Sequence, residues 1–170
     1  MQNPWAFRWS EWRYKKATRG CPCGYAGDPR KQCKCTPVAV ERYKSRLSGP
    51  MRDRFDLSVD VRAVPWRELR ATSPGESSQV VRTRVLAARA RQHTRHGMLN
   101  ARLEGPALKS SCALDAPAER MLAMAMGRQL LSARSATRVL RVARTIADLA
   151  GGAAIDAHDV AEALQFRVTA

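Results

Sequence analysis

No apolar run in this 170-residue chain approaches the ~20 residues that a membrane-spanning helix requires. Its first twenty residues lack the apolar stretch of a secretory signal. A membrane partner is therefore not expected, and a cytoplasmic location follows by default. Acid is scarce: fifteen acidic residues stand against thirty basic ones, and between Ser77 and Leu103 there are six arginines and no acid at all. Lysine is scarce too, with six lysines against twenty-four arginines. The phosphate-cradling pattern GxxxxGK[ST] is missing, so no complete nucleotide cradle is encoded and the chain by itself is not expected to hydrolyse ATP. His93, His96 and His158 are scattered, and Ser110-Ser111 has no base nearby in sequence, so no nucleophile constellation emerges.

Apolar residues make up 45% of the chain, which is enough to bury a core. A net charge of +15 points to a polyanionic partner, nucleic acid or nucleotide phosphate. The same arginine excess, beside abundant alanine, is also what a biased genome composition produces. Within the basic stretch, Arg82 and Arg89 share a helical face, as do Arg84, Arg91 and Arg95. Such a cluster suits a DNA-facing or subunit-facing surface, and equally a solvated face.

Residues 1–20 interleave Trp5, Phe7, Trp9, Trp12 and Tyr14 with Arg8, Arg13, Lys15 and Lys16. That mixture suits base stacking with phosphate contact, but no periodicity supports an element, and the segment reads as an atypical or non-native leader. A Cys/Gly/Pro loop follows over 21–35. Thr36-Pro37 opens a helix ending near Leu47, by the N-cap and proline rule. Leu57, Val59 and Val61 alternate as in a strand over 55–64. Thr72-Ser73-Pro74-Gly75 is a turn or linker. Beyond it come four helices: one from Ser77 or Ser78 to about His93 with Val81, Val85 and Ala88 as its stripe, one capped by Asp115, one capped by Ser132 and stopped by Gly151, and one opening at Asp156 with Asp159 in a capping-box place. Four consecutive helices imply a small bundle.

Three sets of residues can carry chemistry. Arg54 lies in Gly49-Pro50-Met51-Arg52-Asp53-Arg54-Phe55-Asp56-Leu57. A guanidinium held in a fixed direction there, with Asp53 and Asp56 to orient it, can stabilise charge on a phosphoryl group in a neighbouring subunit. The bland alternative is a surface arginine paired with those aspartates. Arg134 lies in the first turn of the Ser132-capped helix, where a cation opposes the helix dipole. Its presence suggests work outside the helix, such as gripping a phosphate. Arg138 and Arg141 share its face by spacing, while Arg138 and Arg144 are expected to be solvated. Finally, Cys21-x-Cys23 and Cys33-x-Cys35 can close a tetrahedral zinc site, or form a reduced, turn-rich loop. Cys112, far from them, suits a small buried apolar position.

Taken together, CPCGYAGDP, CKCTP, RYKSRLSGPMRDRFDL, GESSQVVRTRVLAARARQ and LSARSATRVLRVARTIADLAG occur in an order that resembles the C-terminal half of the magnesium-chelatase-like AAA+ ATPases of the ComM/YifB group. The resemblance covers about Cys21 to Arg167. It implies that Arg54 is the arginine finger, that Arg134 is the lid's sensor arginine with Arg141 as second choice, that ATP and Mg²⁺ are the cofactors, and that the assembly is a homo-hexameric ring. Branch migration of DNA is the activity implied, and metal insertion into protoporphyrin is that of wider relatives. Family members carry Asn-Pro before CPCG, where Arg19-Gly20 stand here. The start of the chain accordingly looks replaced or misassigned.

The expected fold is mainly α: an atypical leader (1–20), a remnant of an AAA+ α/β core with one or two strands and a helix (21–71), and a helical lid (72–170). The leading expectation is a fragment of an ATP-driven ring motor that supplies Arg54 and Arg134 to nucleotide held by residues elsewhere. The alternative is a non-enzymatic, basic DNA-binding module with a zinc loop. A third is an inert fragment that docks onto full-length subunits.

Overall fold

The computed structural model describes residues 20–28, 31–46, 48–59, 61, 64–70, 75–128 and 131–167. The aromatic and basic segment over 1–19 lies outside them. The described residues are mainly helical, as expected, and they fall into two compact units, residues 1–55 and 56–170.

In the first unit a turn-rich stretch leads into α1 (Pro37–Ser45). The Thr36 hydroxyl accepts from the Ala39 N–H at 3.3 Å, and Pro37 occupies the first turn, so the sequence signal for this start is realised. Gly24 and Gly27 take φ of +83° and +78°, the left-handed region that the tight turns between the two cysteine pairs require. After α1 comes the single turn α2 (Gly49–Arg52). The Asp53 N–H bonds Gly49 O at 2.9 Å and the Arg54 N–H bonds Met51 O at 3.0 Å. Backbone hydrogen bonds of a helical turn therefore fix the main chain at Arg54.

The second unit opens on residues that the alternation predicts as a strand. No strand forms over the described part of 55–64. A strand needs a ladder partner, and Leu57, Val59 and Val61 have none, being 54%, 65% and 91% exposed. The Ser58 N–H instead bonds Phe166 O at 2.8 Å. A one-turn helix, α3 (Trp66–Leu69), follows.

The bundle begins with α4 (Ser78–His96), capped by the Ser77 hydroxyl on the Val80 N–H and stopped by Gly97 at φ +66°. A 3-10 turn (Asn100–Arg102) leads to α5 (Gly105–Ser111). Then come α6 (Ala116–Gly127), α7 (Ala133–Ala150) and α8 (Ala157–Gln165). Asp115, Ser132 and Asp156 cap the last three as their positions predict. Asp156 and Asp159 exchange bonds in a full capping box, at 3.1 and 2.9 Å.

The core is rich in alanine. Ala118, Ala125, Ala136, Ala143, Ala147 and Ala163 are buried with Leu103, Leu122, Leu131, Val139, Ile155 and Val160. Small side chains let α7 lie close against α8 and α4, and α6 against α8. The expected stripe on α4 is only partly right. Ala88 is buried, but Val85 is exposed, and the other buried residue of that helix is Gln92. The face of α4 that meets α7 is polar, with Arg91 and Arg95 directed at Asp148.

Candidate functional site

The N-terminus of α7 carries a shallow cavity of about 400 Å³ lined by Ala133, Arg134, Thr137, Arg138, Arg141 and Glu104. The i, i+4, i+7 spacing brings its three arginines together, as expected. They differ in how they are held. Arg141 is anchored: its Nε donates to Leu103 O at 2.9 Å, and an Nη lies 3.5 Å from a Glu104 carboxylate oxygen. Arg138 is paired with Asp56, which corrects both its expected solvation and the expected use of Asp56 to orient Arg54. Arg134 is exposed, and among the described residues nothing accepts from its guanidinium. It therefore projects at the helix end beside two fixed cations. The Ser132 hydroxyl, at 3.2 Å from the Ser135 N–H, fixes the turn that carries it. Cationic groups at a helix N-terminus, beside the unpaired N–H groups of its first turn, form an anion-attracting surface.

Arg54 is likewise exposed, with no hydrogen bond or ion pair from its side chain to any described residue. Its backbone is fixed by the α2 turn, and its guanidinium has no partner among the described residues.

Three of the six arginines between Ser77 and Leu103 are engaged within the chain. Arg84 makes a two-point pair with Glu76, at 2.8 and 3.0 Å. Arg91 donates to Asp148 O at 2.8 Å, capping the C-terminus of α7, where a cation favours the helix dipole. Arg95 pairs with the Asp148 carboxylate. Asp148 is fully buried and also accepts from Asn100 Nδ2 at 2.8 Å and from Arg144 at 3.0 Å. Arg144, expected on a solvated face, is 1% exposed, and its other bonds run to Gly152 O and Ala153 O at 2.7 and 2.8 Å. This network joins α4, the 3-10 turn, α7 and the loop after it. Sequence spacing carried one signal for it: Asp148 is the only acid in α7 and stands four residues after Arg144.

The cysteine pairs converge. The sulfurs of Cys21, Cys23, Cys33 and Cys35 all lie within 4.8 Å of one another. Cys21 to Cys23 is 3.3 Å, and Cys33 is 3.6 Å from each of them. All are free thiols. The Ala26 N–H donates to Cys21 Sγ at 3.3 Å. The Tyr25 N–H, with the Cys21 side chain, holds the Cys23 thiol down at about 6. Negative charge is thus favoured on Cys21 and Cys23, while the neighbouring thiols hold Cys33 and Cys35 up. Cys112 lies apart, buried in the helical unit with its thiol pushed up to about 11 by that burial.

Comparison with known proteins identifies the family. The family described as "Magnesium chelatase, subunit ChlI C-terminal" matches residues 75–167, and the one described as "Magnesium chelatase, subunit ChlI" matches residues 11–69. The chain belongs to the magnesium chelatase ChlI family. It is 42% identical over 135 residues to the protein YifB of Escherichia coli, covering 79% of this chain and 27% of that one. It is 41% identical over 133 residues to competence protein ComM of Haemophilus influenzae, covering 78% and 26%. A Mycobacterium tuberculosis protein is 40% identical over 157 residues, covering 90% and 31%. The chain spans less than a third of the length of these relatives.

Proposed function

We propose that this chain supplies the arginine finger and the helical lid of an ATP-driven ring motor. In a homo-hexamer, Arg54 reaches the γ-phosphate bound by a neighbouring subunit, and Arg134 contacts nucleotide bound by its own, with Arg141 as the supporting cation. ATP and Mg²⁺ would be held largely by other parts of the assembly. Residues 21–71 belong to the α/β core and 72–170 to the lid. The substrate is DNA undergoing branch migration, and the place of work is the cytoplasm. Cys21, Cys23, Cys33 and Cys35 hold a structural zinc ion.

The observation that carries this function is the contrast at the α7 N-terminus. Arg138 and Arg141 are tied to Asp56 and Leu103, while Arg134 extends from a capped turn with no acceptor among the described residues. An unpaired guanidinium there opposes the helix dipole at a cost of a few tenths of a kcal/mol. A bound polyphosphate removes that cost. A DNA-binding role without nucleotide is less well supported, because Arg84, Arg91 and Arg95 are engaged within the chain.

Calorimetric titration of the chain with inorganic triphosphate at low salt is the test. Binding is expected to weaken about tenfold with Arg134→Ala, the loss of one charge-assisted contact of about 1.5 kcal/mol, and to change less with Arg89→Ala on the exposed face of α4. Equal effects of the two substitutions would remove Arg134 from the site.

A further inference from the structure

The described residues 20–55 contain a single buried side chain, that of Cys21. Nothing in α1 is buried. A nine-residue helix is below the length that persists alone in water, and a segment this size has no apolar core to hold it. Yet Cys35 immediately precedes Thr36, the residue that caps α1. What stands at the centre of this segment is the four-sulfur cluster.

The geometry of that cluster suits one ion. A tetrahedral metal with bonds of about 2.3 Å sets sulfurs roughly 3.8 Å apart, and the three close separations here are 3.3, 3.6 and 3.6 Å. Sulfurs so close cannot surround a multinuclear iron–sulfur cluster. Four thiolates on a divalent ion carry two net negative charges. That charge would lie beside the N-terminus of α1, where the helix dipole favours it, in a segment that also carries Lys31 and Lys34.

We infer that a single tetrahedral zinc ion held by Cys21, Cys23, Cys33 and Cys35 is the core on which residues 20–46 fold, so that metal uptake and the ordering of α1 are one event. This rests on the zinc site proposed above and adds to it the coupling of metal to fold. The Ala26 N–H, which donates to Cys21 Sγ at 3.3 Å, is then spent on thiolate sulfur. The helical unit has its own core around Val139, Ala143, Ile155 and Val160 and does not need the ion.

The experiment uses the whole chain, freed of metal by a chelator under reducing conditions and titrated with Co²⁺ and then Zn²⁺. Thiolate-to-cobalt charge-transfer and d–d absorption read the cage, and hydrogen exchange of the Val40–Arg46 amides reads α1. The expected result is a four-thiolate tetrahedral cobalt spectrum saturating at one equivalent, displaced by Zn²⁺. Protection of the α1 amides should rise at least a hundredfold on metal binding, with the α7 and α8 amides unchanged. Cys33→Ser should lose both signals and Cys112→Ser neither. Absence of the four-thiolate spectrum overturns the cage and with it the inference. A cobalt spectrum with α1 equally protected before and after leaves the cage standing and refutes the coupling. Iron rather than zinc in the protein as isolated refutes the choice of ion.

Discussion

Replacing Asp148 by alanine strikes the point on which three of the bundle's elements depend. Its carboxylate is 0% exposed and receives Arg144, Arg95 and Asn100. With the carboxylate gone, Arg144 keeps its two carbonyl acceptors but loses its countercharge while remaining 1% exposed. Breaking a buried ion pair from one side typically costs about 3–5 kcal/mol, because the orphaned charge stays desolvated. For a unit of this size that corresponds to a fall in Tm of roughly 10–20 °C. The control is Glu76→Ala, which removes a pair whose side chains are 50% and 43% exposed and should cost about 0–1 kcal/mol. Urea unfolding followed by far-UV circular dichroism gives both values. If Asp148→Ala and Glu76→Ala proved alike within about 1 kcal/mol, the buried network would not be what fastens α4 to α7.

Two further expectations concern the same unit. Burial raises the Cys112 thiol to about 11, so between pH 9 and 11 the unfolded chain has released this proton and the folded one has not. Stability should therefore fall as pH rises through that window, by up to about 1.4 kcal/mol per unit from this group. Cys112→Ala should flatten the slope, and Cys112 should resist iodoacetamide at pH 8 until the bundle unfolds. Gly151 has φ +84°, and a Cβ there would meet Arg91 Nη2 at 3.4 Å, so Gly151→Ala should cost about 1 kcal/mol or more by thermal melts, whereas Gly75→Ala, with open space around it, should not.

The local signals in this sequence translated well. Thr36-Pro37, Ser77, Asp115, Ser132, Gly151 and the Asp156/Asp159 pair all mark helix ends, because capping depends on neighbours a few residues away. The convergence of the four cysteines was legible for the same reason, since short spacing and intervening glycines bring them together. The strand at Leu57–Val61 was not, because alternation describes one half of a pairing and says nothing of the other half. Arginine was the least legible residue type. Arg134, Arg138, Arg141 and Arg144 look alike along α7, but their surroundings come from Asp56, Leu103 and Gly152, up to eighty-two positions away. An arginine-rich helix face can equally be a solvent surface, a buried network or a ligand site, and on α7 the exposed Arg134 and the buried Arg144 stand ten positions apart.

The proposal that this chain lends its guanidinium groups to a triphosphate held elsewhere is tested most directly through Arg54. The chain can be grafted in place of the matched segment of competence protein ComM from Haemophilus influenzae, and steady-state ATP turnover compared with and without Arg54→Ala. The account predicts assembled rings that still bind nucleotide but turn it over ~10³-fold or more slowly. Rings that hydrolyse ATP equally fast with alanine at this position would contradict it.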